Sequence, residues 1–209
     1  MEAAIDAGAD YAGFVFFPKS PRHLSLARAA DLACQAQGRV KTVALIVNAD
    51  DEAISEIMAE VRPDFLQLHG DESAGRVSAI QRISGARIIK AVKVGSPDNI
   101  MTAGQYEPSA DILLFDAQPA RPGALPGGNG LSFDWTWLSA ATVRPNFMLS
   151  GGLNSDNVLT ALRASGALAV DVSSGVETSP GKKDAALIRG FVETAKSYEP
   201  LALVPTAAE

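Results

Sequence analysis

A single cysteine, Cys34, stands in 209 residues. That count excludes an intramolecular disulfide, and no Cys/His cluster has the spacing of metal ligands. Positive charge is also scarce. Eighteen Lys and Arg face 24 Asp and Glu, for a formal net charge of −6. No Lys/Arg cluster forms a stripe that would track a phosphate backbone, so nucleic acid is not an expected partner. An anionic small molecule is still admissible, because backbone N–H groups bind phosphate without net basic charge. No apolar stretch approaches the roughly 20 residues that span a bilayer, so no membrane partner is expected either. The opening MEAAIDAGAD has no basic region followed by an apolar run. It does not read as a signal peptide, and a cytoplasmic location of bacterial type is expected.

What is present is a composition of 47% hydrophobic and 20% charged residues, which fits one soluble domain with a sizeable core. Apolar runs recur along it: YAGFVFF (Tyr11–Phe17), TVALIVN (Thr42–Asn48), DFLQLHG (Asp64–Gly70), RIIKAVKV (Arg87–Val94), DILLFD (Asp111–Asp116), NFMLSGG (Asn146–Gly152) and LAVDVSSG (Leu168–Gly175). None alternates strictly, which suggests strands buried on both faces of a parallel sheet. Between them lie helical patterns. One opens at Ser25 as N-cap and stops at Gly38; another opens with Asp50 and Asp51 and stops at Pro63. NSDNVLTALRASG ends at Gly166, and DAALIRGFVETAKS closes the domain. Before the first run, EAAIDAGAD reads as the end of a helix broken by Gly8.

This βα order, repeated seven times, predicts an α/β fold with a closed parallel barrel as its parent. Such a barrel needs eight strands. The reading is therefore a barrel with seven of its eight strands, the first missing, in a chain that begins inside the first helix. An open doubly wound sheet is the alternative, but no Gly-rich fingerprint follows the first run. One domain is expected over 1–197, with 198–209 a loosely ordered tail.

Barrel chemistry sits at the carboxyl ends of strands and in the loops after them. The sixth run ends in LSGGL, where Gly151 and Gly152 let the backbone approach an anion. The seventh ends with Ser173, Ser174 and Gly175. In an eight-stranded count these are strands seven and eight, whose loops often bind phosphate; ordinary tight turns are the alternative. Asp116 ends the fifth run before the Pro/Gly-rich AQPARPGALPGGNG, placed for general acid chemistry or else a solvated loop acid. That loop is a candidate lid or simple slack. Arg22, in PKSPRHLS, is suited to fork onto a carboxylate, or to cap a neighbouring helix at the surface. His69 ends the third run; a hydrogen-bonded structural histidine is the commoner reading. Asp171 points to the same side of its strand as Ser173 and either touches a ligand or braces the loop. Cys34 lies on the apolar face of the first complete helix and reads as a small core hydrophobe.

Together AGADYAGFVFFPKSPRHLS, FLQLHGDE, IKAVKV, DILLFDAQ, GGNGLSFDW, LSGGLNSDNV and VDVSSGVETSPGKKD resemble the phosphoribosylanthranilate isomerases, in order, over nearly the whole chain. The resemblance implies a TIM (β/α)₈ barrel. It implies an aldose–ketose isomerase of tryptophan biosynthesis that works on a phosphorylated small molecule, as a monomer or homodimer, with no metal or other cofactor. Its reaction is an Amadori rearrangement of N-(5-phosphoribosyl)anthranilate to 1-(2-carboxyphenylamino)-1-deoxyribulose 5-phosphate. By motif, Asp116 matches the general acid and Arg22 the carboxylate anchor. Gly151, Gly152, Ser173, Ser174 and Gly175 match the phosphate loops, with Asp171 and Gly128 lining the site.

Two departures stand out. The family's GGTG or GGSG loop is GGNG here, with Asn129, a residue that still donates a hydrogen bond and tolerates the left-handed region. The family's first strand, roughly KICG, supplies a cysteine as general base, and nothing here matches it; Cys34 on an outer helix cannot replace it. The expectation is a native start upstream of Met1 and lowered activity for the chain as it stands. An inactive remnant, or another phosphate-binding barrel of the thiamine-phosphate-synthase or indoleglycerol-phosphate-synthase kind, are the alternatives.

Overall fold

The structure, a computed structural model, describes residues 1–120, 127–140 and 147–199. Helix α1 (Glu2–Asp6) leads into β1 (Tyr11–Phe16), followed by α2 (Leu26–Ala36), β2 (Lys41–Ile46), α3 (Asp51–Glu60), β3 (Phe65–Leu68), α4 (Ala74–Ser84) and β4 (Arg87–Val94). Then come α5 (Pro97–Thr102) with a 3₁₀ turn, β5 (Ile112–Ala117), α6 (Thr136–Ala140), β6 (Phe147–Leu149), α7 (Val158–Ser165) and β7 (Ala169–Val170). A second 3₁₀ turn (Ser174–Val176), a two-stranded hairpin of β8 (Glu177–Ser179) and β9 (Lys182–Lys183), and α8 (Ala185–Lys196) complete it.

All seven apolar runs are strands. They pair in parallel with their chain neighbours, in the order β1 to β7, within one sheet. The expected caps form: Ser25 accepts from the Arg28 N–H, and Asp50 from the Ala53 N–H. Helices α4, α5 and α6 lie outside the helical patterns expected from the sequence, although the signals of α4 are ordinary. Ser73 caps it, Val77 and Ile80 bury one face, and Gly85 ends it in the left-handed region. Of the polar loop before α6, residues 121–126 lie outside the described residues, so the lid expectation goes undescribed. The same holds for 200–209 of the expected tail.

The side-chain alternation of a strand divides the core in two. Val43, Phe65, Ile89, Ala91, Leu114 and Met148 form one buried cluster on the inner face of β2 to β6. Their neighbours Ala44, Leu66, Ile88, Phe115 and Leu149 face outward into a larger cluster with Ile54, Ile57, Val77, Ile80 and Leu162 of the helices. Continuing the inner row one step along each strand brings Gln67 and His69 after Phe65, Asp116 after Leu114, and Ser150 after Met148. All four are buried, at the carboxyl end of the sheet.

The sheet curls until the segments that follow its two edge strands meet. Arg22, in the loop after β1, donates to Glu177, which follows β7. At the opposite end α1 packs on α8, and Lys196 pairs with Asp10 at 3.3 Å. Among the described residues no strand pairs with both β1 and β7; Leu168 and Tyr11 beside these edges are exposed.

Cys34 departs from expectation: it is exposed. The core-facing residues of α2 are Ala29, Leu32, Ala33 and Ala36, the i, i+3, i+4, i+7 positions of one stripe. Cys34 falls outside it.

A fully buried ion pair braces the end of β3 from the helix side. Lys90 on β4 donates to Glu72 at 2.7 Å, to the Gly70 carbonyl at 2.9 Å and to the Leu68 carbonyl at 3.3 Å. Glu72 in turn accepts from the backbone N–H groups of Asn48 and Gly70. Burial lowers the Lys90 pKa, and Glu72 opposes that shift. Since removing one partner strands the other charge away from water, Lys90→Met should cost about 3–5 kcal/mol in a denaturant titration. A loss under about 1 kcal/mol would mean that water reaches Glu72.

Candidate active site

The pocket lies at the carboxyl ends of the strands, in two adjoining hollows. One, of about 330 Å³, is walled by the loops Gly127–Asn129, Ser150–Leu153 and Asp171–Ser174. The other, of about 490 Å³, has an apolar floor of Val15, Phe17 and Leu45, with Arg22 and His69 at its sides. Asp116, Ser150, Asp171, Ser173, Gly127 and Gly128 line both.

Asp116 stands where the two meet, buried, at the end of β5. Its Oδ1 accepts from the Ala117 N–H at 2.9 Å. Its Oδ2 lies 3.1 Å from Nε2 of His69. On the other side of that ring, Nδ1 is 3.0 Å from the amide nitrogen of Gln67. His69 bridges the Gln67 side-chain amide on its Nδ1 side and Asp116 on its Nε2 side. His69 is thus a buried hydrogen-bonded histidine, as its residue type suggested, and its partner is the strand-end acid.

Asp171 continues the β6–β7 ladder, its N–H donating to the Leu149 carbonyl, and its side chain accepts from the Ser150 hydroxyl at 3.1 Å. Burial raises its pKa, and the charge of Asp116 raises it further, against the bond from Ser150. With the Asp116 carboxyl facing the same small space, Asp171 retains its proton more readily than an isolated acid does.

The glycines of the first hollow are required by close approach. Gly151, at φ +93°, has its missing Cβ position 2.7 Å from the Ala117 nitrogen, and that of Gly152, at φ +65°, is 2.8 Å from the Leu131 carbonyl oxygen. Ser173 and Ser174 line the hollow. Gly175 stands behind the wall, in the 3₁₀ turn, where any side chain would strike the Leu153 carbonyl. Gly128 sits directly over the Arg22 guanidinium, and its carbonyl is 3.4 Å from Nη2.

Arg22 is no surface helix cap: its side chain is 13% exposed. Nε and Nη2 donate to the two oxygens of Glu177 at 2.8 and 2.7 Å, a side-on bidentate pair. Lys183 of β9 reaches the same carboxylate at 2.9 Å and also donates to the Ser173 carbonyl. Burial alone would push the Glu177 carboxyl up; the bonds from Arg22 and Lys183 prevail and hold it at about 2, against an ordinary 4.5. Glu177 and Lys183 were not singled out from the sequence. They lie in a polar stretch beyond the last strand, and only the curl of the sheet brings them to Arg22.

Similarity to known proteins agrees with this geometry. The family model for N-(5′-phosphoribosyl)anthranilate (PRA) isomerase matches residues 1–194. The chain belongs to that family. The isomerase of Parvibaculum lavamentivorans is 50% identical over 198 residues, 94% of this chain and 92% of its own length. The crystal structure of the isomerase from Thermotoga maritima superposes with a TM-score of 0.81 at 34% identity, covering 94% of this chain and 93% of that one. A phosphoribosylanthranilate isomerase crystallised with reduced 1-(o-carboxyphenylamino)-1-deoxyribulose 5-phosphate gives 0.80 at 33% identity, over 94% and 92%. These neighbours are TIM barrels, and the seven parallel strands are the curled majority of one. Family membership carries with it an aldose–ketose isomerisation in tryptophan biosynthesis. It also sets aside the other phosphate-binding barrels, and the reading as an inactive remnant has no support. No helix among the described residues of this isomerase is long and apolar enough to cross a membrane.

The depressed Glu177 pKa has a defined pH signature. Stability from its ion pairs is fully present above the unfolded-state value of 4.5 and is lost as pH falls through about 2. The stability gap between the isomerase and its Glu177→Gln variant should therefore be widest above pH 4.5 and narrow steadily towards pH 2. Denaturation midpoints across that range measure it; a gap independent of pH would show that Glu177 is not ionised in the fold.

Proposed function

We propose that the two hollows divide a phosphoribosylated anthranilate between them, with Asp116 at the bond-breaking centre. The observation that carries this reading is the position of Asp116. It is a buried carboxyl group at the junction of a glycine-walled hollow and an apolar one edged by a guanidinium. The phosphate belongs in the first hollow, against Gly151, Gly152, Ser173 and Ser174, where backbone N–H groups meet an anion without a side chain in the way. Gly175 supports that wall from behind. The aromatic ring belongs over Val15, Phe17 and Leu45, with its carboxylate on the edge of Arg22 that Glu177 leaves free. Gly128 closes over the same edge.

In this arrangement Asp116 donates a proton to the furanose ring oxygen and the C1′–O bond breaks, giving the open-chain Schiff base. His69, through Nε2, holds the carboxyl in place for the transfer. Asp171 sits close enough to help keep a carboxyl proton in the pocket. Removal of the C2′ proton then gives an enolamine, which tautomerises to the ketone; the substrate's own iminium is the electron sink. Among the described site residues none matches the cysteine that the family resemblance assigns as base, and Cys34 is on the outside of α2.

Asp116→Asn should reduce kcat by about 10²–10⁴-fold, the scale of one general acid, while the product still binds. A variant within severalfold of the parent in a fluorescence assay of phosphoribosylanthranilate consumption would remove Asp116 from this role. Arg22→Ala should weaken ligand binding by about 2–5 kcal/mol. Arg22→Lys should recover only part, because an ammonium cannot bond Glu177 and a ligand carboxylate from two flat edges. Unchanged affinity in both would leave Arg22 as a purely structural partner of Glu177.

A further inference from the structure

Arg22 presents an electrostatic difficulty. Its Nε–Nη2 edge is already satisfied by a carboxylate, Glu177, which is 3% exposed. A guanidinium neutralised in this way has little field left to attract a second carboxylate, and two carboxylates on one cation repel each other. The hairpin that brings Glu177 also brings the remedy. Lys183 bonds the same Glu177 oxygen that accepts from Arg22 Nε. The cluster thus holds two cations against one carboxylate and keeps one net positive charge.

We propose that Glu177 and Lys183 are positioning residues for carboxylate recognition: Glu177 fixes the plane of the Arg22 guanidinium, and Lys183 restores the positive charge that Glu177 cancels. Geometry supports both halves. The side-on pair, at 2.8 and 2.7 Å, holds the guanidinium by its Nε–Nη2 edge and leaves Nη1 beside Gly128, at the wall of the apolar-floored hollow. Gly181, at φ +83°, seats the hairpin tip against the Pro21 carbonyl, one residue before Arg22, so the hairpin packs directly on the arginine loop. Lys183 also donates to the carbonyl and hydroxyl oxygens of Ser173, at 2.9 and 3.3 Å. The chain Arg22–Glu177–Lys183–Ser173 therefore spans the two anion subsites and sets their separation. A ligand that carries both a phosphate and a carboxylate at that separation meets a prearranged pair; one lacking the carboxylate forgoes the Arg22 half of it.

The proposal rests on Arg22 as the carboxylate anchor, and the test separates the two. Isothermal titration would measure binding of reduced 1-(2-carboxyphenylamino)-1-deoxyribulose 5-phosphate and of its phenylamino counterpart without the carboxyl group. Their affinity ratio is the carboxylate selectivity. Both ligands share the phosphate, so damage to the Ser173 loop cancels in the ratio. Arg22→Ala should abolish the selectivity. Lys183→Met should reduce it about tenfold or more, with Lys183→Arg restoring most of it; Glu177→Gln should also reduce it, the loss of the fixed guanidinium plane outweighing the removed carboxylate charge. Should Glu177→Gln fail to fold, Lys183→Met decides alone, since that side chain is 41% exposed and carries no core packing. If Arg22→Ala lowers selectivity while Lys183→Met or Glu177→Gln keeps the wild-type value, the hairpin has no part in recognition and Arg22 acts unaided. If Arg22→Ala itself keeps the selectivity, the anchor is elsewhere and both readings fall.

Discussion

Two side chains 155 residues apart in the chain, Arg22 and Glu177, meet in a bidentate ion pair, and the mouth of the barrel depends on it. Arg22 belongs to the loop after the first strand of the sheet and Glu177 to the hairpin after the last. Their bond therefore pins the two ends of a curled sheet at the face where the pocket opens. The apolar floor of Val15, Phe17 and Leu45 comes from one end of that curl, and the wall of Asp171, Ser173 and Ser174 from the other. Without the curl these are unrelated surfaces. Such a pair is not cheap, because both partners are largely out of water; the second cation, Lys183, and the low carboxyl pKa of Glu177 show how the cost is met.

A second buried pair, Lys90 with Glu72, does comparable work on the opposite side of the sheet. It ties the Leu68 and Gly70 carbonyls and the Asn48 and Gly70 N–H groups into one knot at the end of β3. His69 leaves the strand between those anchored residues, faces inward, and meets Asp116. The acid at the centre of the pocket is therefore oriented by a buried histidine, whose own strand end is held by a charge pair that never touches the pocket. That brace lies on the helix side of the sheet, whereas inside the barrel burial and the neighbouring Asp116 raise the Asp171 pKa.

Much of this was legible in the residues. The seven apolar runs, five of the helices, and the strand-end places of Asp116, His69, Gly151, Gly152, Asp171 and Ser173 follow from local rules: strand alternation, capping residues and glycine where the backbone must approach closely. The motifs, in order along nearly the whole chain, pointed to the isomerase family. The same rules also cover the Ser73 cap and Gly85 stop of α4, and Cys34, which lies just off the stripe formed by Ala29, Leu32, Ala33 and Ala36.

The sequence by itself determined the order of elements and the inward or outward sense of each strand residue, because both follow from backbone periodicity within a few residues. Only the tertiary structure decided which loops become neighbours. No local rule joins Glu177 to Arg22, Lys183 to Ser173, or Gln67 through His69 to Asp116. Each of these contacts exists because a twisted parallel sheet, covered on its outside by helices, has to curl, and curling brings distant strand ends to within hydrogen-bond reach.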